Sequence, residues 1–210
     1  MTTSTVHVAV FDTFADWETG YATAHIRRDS WQRQPGRYSV TTVGVTREPV
    51  TTMGGLRILP DIALDELRPP DSAMLILAGG DTWGEDSMAG FRAAARRFLA
   101  AGVPVAAICG ATFGLALAGL LDDRAHTSND AGYLALTGYA GGGRFVAGPV
   151  VADGDLITAS GVAPAHFARA IFERLGIYTP EVAASWFKLY GDRDPAGFYE
   201  LMAVPAGQSA

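Results

Sequence analysis

Short, densely apolar runs alternate along the chain with longer amphipathic stretches. Val6–Phe11, Tyr38–Val45, Ala73–Ala78 and Val105–Ile108 read as strands, and the last two are apolar at every position, as strands covered on both faces must be. Helices are predicted from Trp17 to about Arg28 behind an Asp16 cap, and from Met88 to Ala101 behind a Ser87 cap. Further helices are predicted over Ala111–Leu121, Ala131–Thr137, Pro164–Leu175 and Pro180 to about Tyr190, the last two opening on proline. Pro49–Leu59 folds back at Met53-Gly54-Gly55, and Val150–Ala152 meets Leu156–Ala159 across Asp153-Gly154-Asp155, which predicts two hairpins. Pro60-Asp61 should open a short helical turn, and Ala125–Thr127 a short strand. Strands alternating with helices predict an α/β fold, a mostly parallel sheet with helices on both faces and right-handed crossovers.

Composition narrows the class. With 210 residues, 49% of them hydrophobic and 18% charged, the chain can bury one sizeable core, and a single domain over residues 1–210 is expected. The net charge is −6, and basic pairs such as Arg27-Arg28 and Arg96-Arg97 are scattered, so nucleic acid is not an expected partner. The chain has one cysteine, and Met1–Thr5 lacks the basic and apolar regions of an export signal, which predicts a cytoplasmic protein. Ala111–Leu121, the longest apolar run, contains glycines and is shorter than the roughly 20 residues of a membrane span. Four histidines and one cysteine show no metal-ligand spacing, and neither metal nor cofactor is expected.

Chemistry concentrates at Val105-Ala106-Ala107-Ile108-Cys109-Gly110-Ala111-Thr112. A nucleophile-capable side chain between a buried strand and a helix, with small residues two positions away on each side, is the pattern of a nucleophile elbow. The turn is strained and the flanking backbone approaches closely, so large neighbours would clash. The following helix N-terminus favours a thiolate and should lower the Cys109 pKa. The plainer alternative is a small, inert, buried hydrophobe. Gly79-Gly80 ends another buried strand, and a backbone N–H of Gly80 could join that of Gly110 as an oxyanion hole.

Ala107-Ile108-Cys109-Gly110, Leu77-Ala78-Gly79-Gly80-Asp81 and Asp16-Trp17-Glu18-Thr19 together resemble the ThiJ/PfpI family of the class I glutamine amidotransferase-like superfamily. That resemblance implies a flavodoxin-like three-layer sandwich, a homodimer, and a glutamate after the first strand that hydrogen-bonds the nucleophile; Glu18 occupies the matching place. It implies a cysteine-dependent enzyme acting on a small carbonyl or amide molecule, with peptidase, amidase, deglycase, glyoxalase and isonitrile hydratase activities among the family's repertoire. A glutaminase is disfavoured, since a late His-x-Glu motif is missing. A non-catalytic oxidative-stress sensor or chaperone using Cys109 oxidation is the alternative.

The histidine is where this chain departs from the family. Gly110 follows the cysteine, and Asn129 stands where relatives carry a histidine after the next strand. His126 is the candidate base, although strand alternation would point it away from Asn129's face. His166 could line the cleft, and an α/β-hydrolase order Cys109, Asp155, His166 is a further arrangement to test. His7 and His25 have weaker claims, and Trp83 could cover the site or pack locally.

Overall fold

The structure, a computed structural model, describes residues 3–204. Strand β1 (Ser4–Ala9) is followed by helix α1 (Asp16–Arg27) and β2 (Tyr38–Gly44). A small antiparallel ribbon, β3 (Val50–Thr51) with β4 (Arg57–Ile58), precedes the short β5 (Ile62–Ala63) and the central β6 (Met74–Leu77). Then come α2 (Ala89–Ala100), β7 (Val105–Ile108), α3 (Gly110–Leu117) and α4 (Ala131–Ala135). The hairpin β8 (Val150–Asp153) and β9 (Leu156–Ala159) leads to α5 (Pro164–Leu175), α6 (Pro180–Tyr190) and α7 (Ala196–Met202).

Seven strands form one sheet in the order β5-β2-β1-β6-β7-β9-β8, parallel throughout except for the β8–β9 pair. Every residue of β6, β7 and β9 is buried, as strands roofed on both faces require. This is the predicted α/β, flavodoxin-like sandwich: α1 packs on α5 and α5 on α6, while α2 packs on α3. The phenyl rings of Phe91, Phe98, Phe167 and Phe172 are among the large side chains that fill the two interlayers.

Several local expectations are corrected. Asp16 and Ser87 do not cap their helices through their side chains; Asp16 instead accepts the Gly54 N–H at 2.7 Å and so pins the tip of the β3–β4 ribbon. The residues after Pro60-Asp61 pair with β2 as the edge strand β5 before the chain turns helically at Leu64–Glu66. Ala125–Thr127 reduces to one parallel bridge between His126 and Phe145. Helix α7 was not foreseen; it packs on α6, with Ser185 and Lys188 both bonded to Glu200.

Parallel pairing sends the carboxyl ends of β1, β6, β7 and β9 to one edge of the sheet, which is where open α/β sheets bind ligands. The segments that leave this edge carry Glu18, Gly79-Gly80, Cys109 and Gly161.

Candidate active site

Cys109 adopts φ 57° and ψ −123°, left-handed backbone that a residue with a Cβ adopts only at a cost of roughly 1–3 kcal/mol. Its N–H bonds the Ala159 carbonyl at 3.0 Å, extending the β7–β9 ladder by one rung before the chain turns into α3. Thr112 closes the turn by donating to the Cys109 carbonyl at 2.6 Å, and its oxygen also meets Ser128 Oγ at 2.6 Å. The half-buried sulfur is thereby fixed at the carboxyl edge.

Glu18 lies in the first turn of α1 and is wholly buried. The Ala15 N–H bonds the Gly79 carbonyl at 3.0 Å, which holds this turn against the end of β6. Glu18 Oε2 accepts the Gly79 N–H at 2.5 Å, while Oε1 is buried without a hydrogen bond of standard geometry and adjoins the Cys109 sulfur. Two glycines make this closeness possible. A Cβ on Gly79 would stand 2.8 Å from both Cys109 Cβ and Glu18 Oε2, and one on Gly161 would stand 2.8 Å from Cys109 Sγ and 3.0 Å from Glu18 Oε1. Neither position can carry a side chain without displacing the pair.

Hydrogen-bond direction then locates the shared proton. The Gly161 N–H can only donate, and it donates to Asn129 Oδ1 at 2.8 Å. Asn129 Nδ2 therefore faces Cys109 Sγ, 3.2 Å away, as a donor, and a thiol proton has no acceptor on that side. On the other side Glu18 Oε2 is taken by Gly79, leaving Oε1 facing the sulfur. One proton between Sγ and Oε1 satisfies every group. Trp17 completes the enclosure by donating its indole N–H to the Gly161 carbonyl at 3.3 Å.

Burial pushes the Glu18 carboxyl up to about 7, against the opposing pull of the Gly79 and Cys109 hydrogen bonds. Burial also pushes the Cys109 thiol up to about 11, and the Glu18 carboxylate adds to the rise, while the Asn129 and Gly110 N–H groups oppose it. This corrects the expectation of a lowered thiol: desolvation and a neighbouring acid outweigh the helix N-terminus. Two acids of this kind titrate as a pair.

The candidate oxyanion donors lie close to each other at the elbow, and the Gly110 N–H faces the sulfur. A Cβ built on Gly110 would lie 2.7 Å from the Gly80 carbonyl oxygen and 3.2 Å from the Gly80 nitrogen, so the two backbones are in close approach. Trp83 is fully buried beneath them, with its indole N–H donating to the Ala78 carbonyl at 2.8 Å and its ring filling the space above Gly114. It supports the Gly79-Gly80 turn rather than covering the cleft.

Three of the four histidines lie elsewhere. His126 is buried, with Nδ1 on the Arg124 carbonyl at 2.8 Å and Nε2 on Tyr139 Oη at 3.0 Å, and this ring is not hydrogen-bonded to Cys109. Its candidacy as base is corrected: alternation turns it to the face opposite Asn129, where Tyr139 and Phe145 enclose it. Asp155 leads into β9 beside Val105 and pairs with Arg174, at the amino end of the strands. Cys109 stands at the other end of β7, on the order of 13 Å away, which rules out the Cys109, Asp155, His166 triad. His166 lines a cavity of about 390 Å³ that also includes Asn129, Ser160 and Val162. His7 bonds Ser72 Oγ at 2.9 Å, and His25 sits among the aromatic rings behind α1. Among the described residues no group of three or more His, Cys, Asp or Glu side chains is arranged to hold a metal ion.

Sequence reasoning did not foresee Gly161 or the orientation of Asn129. Gly161 belongs to no motif, and its role depends on a contact between the ends of β7 and β9 that only the folded sheet creates.

The profile of the DJ-1/PfpI family matches residues 4–174. A Bacillus subtilis (strain 168) protein named "Uncharacterized protease YoaZ" is 42% identical over 205 residues, covering 96% of this chain and 98% of that protein. A thiJ/pfpI family protein from Bacillus anthracis superposes with a TM-score of 0.90 at 40% identity, covering 96% of this chain and 97% of the other. The DJ-1 superfamily protein Atu0886 from Agrobacterium tumefaciens does so with a TM-score of 0.80 at 31% identity, over 90% of this chain and 99% of its own.

Proposed function

The chain belongs to the DJ-1/PfpI family, and from that premise we propose that it is a cysteine-dependent hydrolase of a small carbonyl or amide compound. The observation that carries the reading is the sulfur held between two groups of opposite character: a fixed N–H donor on Asn129 and a buried carboxyl on Glu18. With its proton moved to Glu18 Oε1, the sulfur is a thiolate supported by the Asn129 and Gly110 N–H groups and aimed from a strained turn. Addition to a carbonyl carbon forms the C–S bond and moves the C=O electron pair onto oxygen, beside the backbone N–H groups of Gly80 and Gly110. The names of the curated relatives, which call them uncharacterized proteases, support hydrolysis as the class.

A screen of purified protein against glyoxals, amides, isonitriles and peptides, with Cys109→Ser beside it, tests the proposal. Turnover of one class that vanishes in Cys109→Ser is expected; turnover that survives the substitution would refute it. A reversible oxidation sensor is the second reading, favoured by Asn129 in place of an imidazole that could move protons. It predicts a reactive thiol with no turnover of any class.

A further inference from the structure

Four hydroxyl side chains lie buried around the segment that carries Asn129. Thr112, Thr127, Ser128 and Thr158 are each at most 3% exposed, where a hydroxyl without a partner is costly. The Cys109 carbonyl can only accept, so the Thr112 proton rests on it at 2.6 Å, and toward Ser128 the Thr112 oxygen must accept. The Ser128 proton is thereby committed to Thr112, 2.6 Å away. One residue earlier, the Thr127 N–H donates to Thr158 Oγ1 at 2.9 Å and its hydroxyl to the Gly148 carbonyl at 3.0 Å. One residue later, the Asn129 amide spans from the Gly161 N–H to the Cys109 sulfur. Three consecutive residues thus tie one segment to β9, to α3 and to the nucleophile.

We propose that Ser128 and Thr112 are positioning residues, whose hydroxyl bridge holds the Asn129 amide as a donor on the Cys109 sulfur; the role rests on the reading above that Cys109 reacts as a thiolate. Asn129 is exposed, so packing does not fix its side chain. Its amide is fixed by hydrogen bonds alone: Gly161 holds the oxygen, and Ser128 holds the adjoining backbone to the residue that closes the Cys109 turn. The Thr112 bond to the Cys109 carbonyl is by itself an ordinary back-bond within a first helical turn. Ser128 makes it a bridge between the elbow and the amide.

Ser128→Ala removes the bridge while the Thr112 proton keeps the Cys109 carbonyl, so no buried donor is stranded. Glu18 is the acid beside the sulfur, and the lower step of Cys109 alkylation by iodoacetamide with rising pH reports thiolate formed against it. Ser128→Ala and Thr112→Val should each raise the midpoint of that step by about 1 pH unit, as Asn129→Ala should, and Ser128→Thr, which keeps the hydroxyl, should restore it. In the double variant Ser128→Ala/Asn129→Ala the midpoint should stay within about 0.3 unit of Asn129→Ala alone. Thr112→Val carries the same test should Ser128→Ala fail to fold. A midpoint unmoved in the folded variants, a shift that Ser128→Thr does not restore, or additive shifts in the double variant would overturn the positioning role alone. Wild-type Cys109 alkylated in a single step at the free-thiol value of about 8.5 would overturn the reading of the site, and this role with it.

Discussion

At the scale of single residues, the site depends on where one proton rests. The Glu18–Cys109 pair loses its first proton near the Glu18 value of about 7 and its second near the Cys109 value of about 11. Iodoacetamide alkylation of Cys109 should therefore rise in two steps with pH, the lower one reporting thiolate formed while Glu18 keeps the proton. Glu18→Gln should abolish the lower step; a single step at the free-thiol value of about 8.5 in both proteins would contradict a shared proton. Glu18→Gln should also lower turnover by about 10²- to 10⁴-fold with the fold intact, as judged by circular dichroism. His126→Ala should do the reverse, costing about 1–3 kcal/mol of stability in urea unfolding with turnover of the folded protein retained, because its ring bonds Arg124 and Tyr139 rather than Cys109. Cys109 could be singled out from the small residues around it, whereas Glu18 could be singled out only through the family resemblance, which places a glutamate after the first strand; by position alone it reads as a helix N-terminal charge. The direction of the Cys109 shift was not legible, since desolvation depends on how deeply the folded chain buries the sulfur.

At the scale of elements, α1 is braced at both ends. Its first turn carries Glu18, and its last turn carries His25, buried against Trp186, Phe172 and Tyr190 of α5 and α6. Burial, aided by Arg28, lowers the His25 pKa from 6.5 to about 4. The unfolded chain then binds the extra proton between these values, so this contribution to stability is full above pH 6.5 and is lost as pH falls toward 4. Glu18, raised from 4.5 to about 7, acts in the opposite sense: the folded state holds the extra proton, and stability declines as pH rises through that window. Urea unfolding from pH 4 to pH 8 should show His25→Phe removing the acid-side loss and Glu18→Gln removing the neutral-side decline, each by a few kcal/mol at most. Unchanged pH dependence in either variant would contradict the corresponding burial. Helices α5 and α6 were legible because proline opens each of them, whereas the short α7 was not: Asp194 accepts the Ala196 N–H at its start, and the helix packs on α6. The two misread caps failed for different reasons: Asp16 accepts a backbone N–H on another element, whereas the Ser87 hydroxyl donates to the Glu85 carboxylate within its own turn.

At the scale of the whole molecule, parallel topology brings together residues far apart in sequence. Glu18, Gly79, Cys109, Asn129 and Gly161 meet because β1, β6, β7 and β9 all run toward one edge of the sheet. The alternation of buried strands and amphipathic helices made that edge predictable, and the rule that ligands bind at the carboxyl ends pointed to Cys109. Which loops would touch there was not predictable, since the contact between Gly161 and the sulfur exists only once β9 lies beside β7. Intact-mass analysis of the full chain during reaction with p-nitrophenyl acetate tests most directly whether this edge places Cys109 as the nucleophile. An acetyl adduct that forms and decays with turnover, maps to Cys109 and is absent in Cys109→Ser is the predicted result; an adduct on another residue, or turnover undiminished in Cys109→Ser, would contradict it.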